Sequence, residues 1–158
     1  MSVDATFEDG AERPLNLTAA DAEDLQVIST LAQDAILPVT EMKYQSAARR
    51  FALLINRFRW EDKTAAERLG RAYERVQAVL AIDDVQAVRT QGFDRSDSDL
   101  VLSVLSIAFE PGDDGEGQVV LTLAGDGAIA LDVECLNITL RDVTRPYIAP
   151  SRKAPEHD

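Results

Sequence analysis

Histidine and cysteine are nearly missing: His157 and Cys135 are the only ones in 158 residues. His157 is the penultimate residue, in a stretch with no pattern to hold it, and a general base must be fixed within hydrogen-bond reach of its proton. Histidine triads and histidine-rich metal sites are therefore not expected. A lone Cys135 cannot close an internal disulfide, which suits a reducing compartment. It falls in the odd-numbered apolar series of a strand and reads as a small buried thiol without an activating imidazole.

Long apolar runs are lacking too. The longest, around Leu100 to Phe109, is far short of the roughly 20 residues that cross a bilayer. The first residues, MSVDATFEDGAE, carry neither a basic start nor an apolar core, so no signal or membrane span is expected and a cytoplasmic location follows. Gly125 and Gly127 precede strand-like residues rather than a helix, which argues against a phosphate loop. DRSDSDL from Asp94 lacks the sixth-position glycine of a calcium loop and has Leu105 where its bidentate glutamate would stand; DDGEG at 113–117 reads as a solvated turn. No catalytic residue, cofactor or metal is assigned. Paired carboxylates can work without histidine, but sequence does not show which acids meet.

Charge is plentiful and uneven. The net value is −12, yet Lys43 to Arg75 holds nine basic and four acidic residues, an excess of +5 that leaves −17 elsewhere. Overall repulsion of phosphate argues against nucleic acid, while a local basic face suits an acidic partner.

The clearest local structure is QVVLTLAGDGAIALDVEC, residues 118–135. Val119, Leu121 and Leu123 alternate with polar neighbours, as do Ile129, Leu131 and Val133. A loop of Gly125, Asp126 and Gly127 pairs Leu123 with Ile129 and puts all six on one face, Gly127 taking the left-handed position. The apolar phase changes after Cys135, predicting a bulge or a sharp bend. Upstream, Thr18 or Asp21 caps a predicted amphipathic helix over Asp21 to Gln33. Asp34 to Val39 is strand-like up to Pro38, and Glu41 to Gln45 continues or re-forms it. Phe51, Leu53 and Ile55 alternate before Phe58 and Trp60 take the other parity, which a bulge near Asn56 would reconcile. Residues 61–70 read as a loop or one exposed helical turn. Two tightly joined strands follow between Arg71 and Gly92, and LVLSVLSIAFEPG reads as a strand covered on both faces.

These elements predict a mainly β, α+β domain over residues 17–144, with flexible ends at 1–16 and 145–158. Six to eight antiparallel strands would form a barrel-like roll or sandwich, pleckstrin-like in shape, with the helix across one end or face.

AEDLQVISTLAQDA (22–35), RRFALLINRFRWE (49–61), VRTQGFD (88–94), IAFEP (107–111) and GAIALDVEC (127–135) together resemble the proteobacterial family catalogued as domain of unknown function 2948. That resemblance implies no activity, substrate or cofactor.

NRFRW is the most interesting exposed stretch. Arg57 and Arg59 share one strand face and Phe58 and Trp60 the other; a half-buried strand with solvated arginines is the plain reading, and a basic face extended by Arg49, Lys63 or Arg71 the functional one. Arg49, Arg57, Arg59 and Trp60 are the expected partner- or anion-binding residues. The expectation is a non-catalytic interaction module or adaptor that binds a protein partner or pairs with its own copy through a strand edge. The alternative is a small-ligand barrel or a carboxylate-dependent enzyme.

Overall fold

Period-two alternation builds most of this molecule. The structure is a computed structural model and describes residues 13–148 and 154–155. One antiparallel sheet contains β1 (Asn16–Ala19), β2 (Ile36–Pro38), β3 (Met42–Gln45), β4 (Arg50–Phe58), β5 (Glu74–Ile82), β6 (Val85–Gln91), β7 (Val101–Pro111), β8 (Gly117–Leu123), β9 (Gly127–Val133), β10 (Ile138–Asp142) and β11 (Tyr147–Ile148). The order is β1-β10-β5-β4-β2-β7-β8-β9-β6, with β3 also on β4 and β11 on β5. Its path runs from β1 to β6 without closing. The expected six to eight strands are thus eleven in an open sheet. The strands not expected are β1 and β11, four and two residues long and too brief for a clear alternating pattern, while β2 and β3 fall on the strand-like stretches 34–39 and 41–45. Pro38 ends β2, and a 3-10 turn over Val39–Glu41 separates it from β3.

The core lies on one side of the sheet. Ile138, Ile82 and Phe51 form one cross-strand row, and Leu140, Leu80 and Leu53 the next. The alternating residues of β8 and β9 join the same cluster. Truncating Leu53, Leu80 or Leu121, all fully buried, would cost about 2–5 kcal/mol. Helix α1 (Ala22–Ala32) adds Leu25, Ile28 and Ala32. Asp21 caps it by accepting the Asp24 amide at 2.8 Å, and Glu23 and Asp24 sit where the helix dipole favours negative charge.

Several local expectations change. The β8–β9 loop is Ala124 to Asp126, so Leu123 pairs with Gly127 and Leu121 with Ile129. Gly125 (φ 79°) and Asp126 (φ 67°) take the left-handed conformation, and Gly127 does not. The six apolar residues still share a face, because a shift of two preserves parity. Both parities of β7 read apolar because a bulge between Val104 and Ser106 switches its phase: Leu102 and Val104 are buried before it, Ile107 after it. Strands β5 and β6 are joined tightly by Asp83 and Asp84 but do not pair with each other. Residues 60–69 form a 3-10 turn (Trp60–Asp62) and helix α2 (Lys63–Leu69), which buries Ala66 and ends at Gly70 with φ 67°. At the carboxyl end, Tyr147 and Ile148 pair with Arg75 and Glu74. The amino-terminal expectation for residues 1–12 and the reading of His157 lie outside the described residues.

Candidate functional site

Core-facing positions of β4 run Phe51, Leu53, Ile55 and then Arg57. No bulge intervenes, because the β4–β5 register is unbroken from Phe51 opposite Ile82 to Phe58 opposite Arg75. Arg57 is 0% exposed. A guanidinium there requires paired charge and filled hydrogen bonds. Asp142, at the end of β10, accepts from Arg57 Nε at 3.0 Å and Nη2 at 2.9 Å. Glu61 accepts from Nη1 and Nη2 at 2.9 and 2.8 Å. Asp142 also accepts the Leu15 amide at 2.9 Å, and its own amide donates to the Leu15 carbonyl. One arginine therefore fastens β4, β10, the 3-10 turn and the segment leading into β1. Burial works against charge on Arg57, but the bonds from Glu61 and Asp142 raise its pKa on balance. Burial likewise opposes charge on Glu61, and Arg57 outweighs it, holding that carboxyl below the usual range.

Arg59, 4% exposed, donates to Glu74 at 2.7 Å and lies 3.8 Å from Asp62. Arg71 grips Asp62 with two bonds of 3.0 and 3.2 Å. Arg57 and Arg59 are thus buried in an interlocked set rather than forming a solvated face. The alternation simply continues through Arg57, with acids from distant elements supplying the counter-charge. Phe58 and Trp60 need no bulge: Phe58 is buried on the other side of the sheet, with its ring 4.7 Å from Trp60 and 5.6 Å from Tyr73. Trp60 Nε1 donates to the Gln33 carbonyl at 2.9 Å. Arg57, Arg59 and Trp60 come together at one end of β4, while Arg49 sits at the other, in the β3–β4 turn, paired with Glu134.

The convergent acids Glu61, Asp62, Glu74 and Asp142 are each engaged by arginine and supply its counter-charge. Among the described residues no group of three or more histidine, cysteine or acidic side chains is arranged to hold a metal. Cys135 is exposed, not buried, because the chain bends at Glu134 and Cys135 and the strand parity lapses there. Its thiol donates to Asp84 at 3.2 Å, and this bond, with lesser help from burial, raises its pKa.

The outward side of β4 and β5 carries a feature that attention to odd positions overlooks. Ala52 pairs with Ala81 and Leu54 with Val79, making a two-by-two apolar block. Lys43 extends the first row from β3, while Thr139 and Arg141 of β10 extend the two rows on the other side. Ile36 is paired to Asn56, and Val143, whose amide donates to Gln77, lies beside that row; they are 39% and 44% exposed. No carboxylate occurs in the outward rows from β1 through β10, β5 and β4 to β3. Lys43 and Arg141 are exposed and make no ion pair among the described residues. Arg50, at the border, is held by Asp83 at 2.7 Å. Helix α1 packs on the core side, so it does not cover the block. The sequence signal was available: FALLI and VQAVLAI are apolar at both parities, as in strands covered on two faces.

A family model described as a protein of unknown function (DUF2948) matches residues 15–157. No curated protein and no solved structure matches.

Proposed function

The chain belongs to the DUF2948 family, and from that premise we propose that it is a small non-catalytic binding module whose contact surface is the outward side of β4 and β5. The observation that carries this reading is the apolar block Ala52, Leu54, Val79 and Ala81 on a face whose paired rows hold no carboxylate, in a protein whose net charge is −12. An antiparallel sheet with one wet face normally alternates apolar and polar residues; here the outward face is apolar at its centre, with Ala52, Leu54 and Val79 half-buried and Ala81 buried between them and the neighbouring strands. The sheet's ends favour this surface over strand pairing. β1 has only four residues, and β6 carries a bulge between Val85 and Ala87 and an exposed arginine, Arg89, features that discourage edge-to-edge association. The buried arginine set is a structural clamp under this reading, and Arg49 stands apart from the contact surface.

Affinity capture from a native extract tests it. Wild type and a Thr122→Glu control, altered at an exposed position of β8, retain the same proteins, and Val79→Glu loses them. Equal capture by Val79→Glu, with the fold intact by circular dichroism, would contradict the assignment.

A further inference from the structure

We infer that the occupant of this face is an acidic amphipathic helix of another protein, a reading that rests on the contact surface proposed above. Lys43 on β3 and Arg141 on β10 lie on opposite sides of the apolar block, with β4 and β5 between them. Three strand spacings separate β3 from β10, about 14 Å at about 4.8 Å each. A helix with its side chains is about 10–12 Å across. Laid along β4 and β5, it covers the half-buried Ala52, Leu54 and Val79 with its apolar stripe and brings both flanks against the two cations. The matching helix therefore carries aspartate or glutamate on both sides of a narrow apolar stripe.

A sheet face, unlike a sheet edge, has its backbone groups already paired, so it takes a helix or another layer rather than an added strand. A second copy of this chain is a poor fit. Two-fold packing of like faces opposes a patch to itself, and the paired rows of this patch offer Lys43 and Arg141 no carboxylate, the acids at its margin being Glu41, one residue before β3, and Asp83, already engaged by Arg50. Because both cations are exposed, attraction to the helix is screened by salt and acts mainly on encounter and partner choice.

The test uses the isotopically labelled full chain and two helical peptides of about 20 residues sharing one leucine stripe, flanked by glutamate in one and by lysine in the other. Amide chemical shifts report the site, and their titration reports affinity at low salt. The glutamate-flanked peptide shifts the amides of Leu54 and Val79 and binds about tenfold or more tightly than the lysine-flanked one. Lys43→Glu with Arg141→Glu removes that preference, and the paired glutamine variants fall between. Equal binding by both peptides, lost in Val79→Glu, overturns the acidic helix and leaves the apolar contact surface standing. Shifts confined to other strands, or none with either peptide, overturn both. Concentration-dependent dimerisation that Val79→Glu abolishes assigns the face to a second copy and overturns the inference.

Discussion

Arg57 and Asp142 meet inside the molecule through two hydrogen bonds of 3.0 and 2.9 Å, although 85 residues separate them in sequence. They lie at the last core-facing positions of β4 and β10, on either side of β5, so their pairing fixes how those strand ends sit together.

Removing one member strands the other's charge in a place water does not reach. Arg57→Met or Asp142→Leu alone is expected to cost about 3–5 kcal/mol. The double variant is expected to be less destabilised than the two costs added, by at least about 1 kcal/mol. Urea unfolding at neutral pH measures all three; strict additivity would show that the pair is not coupled.

Acid should loosen the same clamp. Burial opposes charge on Glu61, but Arg57 keeps its folded pKa below the ordinary carboxylate value. The unfolded state therefore binds the proton more readily, and this contribution is present above the unfolded value of about 4.3 and lost as pH falls through the lower folded one. Urea midpoints from about pH 6 to about pH 3 should fall less steeply in Glu61→Gln than in wild type. Parallel acid limbs would contradict the coupling.

Cys135 should react without unfolding, but slowly at neutral pH, because Asp84 holds its proton. Iodoacetamide labelling of the native protein should accelerate in Asp84→Asn. No labelling without denaturant would mean the thiol is enclosed.

The β8–β9 register makes a graded glycine prediction. A Cβ at Gly92 (φ 80°) meets the Asp126 carbonyl oxygen at 2.5 Å and Gly127 Cα at 2.8 Å. At Gly127 the closest atoms, from Leu123 and Phe93, lie at 3.4 Å. Gly92→Ala should be the most destabilising, Gly125→Ala should cost about 1 kcal/mol through its positive φ, and Gly127→Ala the least. Thermal unfolding midpoints give the order; Gly127→Ala as the worst would favour the other loop placement.

That hairpin marks a limit of legibility. Its buried face was readable from alternation, but which of two glycines turned the chain depended on Gly92 and Phe93, which lie some thirty residues upstream. Arg57 shows a different limit. Parity at Phe51, Leu53 and Ile55 points it inward, but a lone charge favours solvent, and the acids that bring it inside, Asp142 and Glu61, come from β10 and the 3-10 turn. Cys135 misled because alternation holds only while the strand does. At the candidate surface, Ala52 and Leu54 were in view as the even members of FALLI, but their partnership with Val79 and Ala81 needed the β4–β5 register. That its paired rows hold no carboxylate depends on how five strands, β1, β10, β5, β4 and β3, line up.

Hydroxyl-radical footprinting of Leu54, Val79 and Val143, in the isolated protein and in its native extract, tests the contact surface most directly. All three side chains should be oxidised in isolation and protected in the extract, while the outward positions of β8 react equally in both. Unchanged oxidation of Leu54 and Val79 in the extract would contradict the assignment of this face as the place where the protein meets its partner.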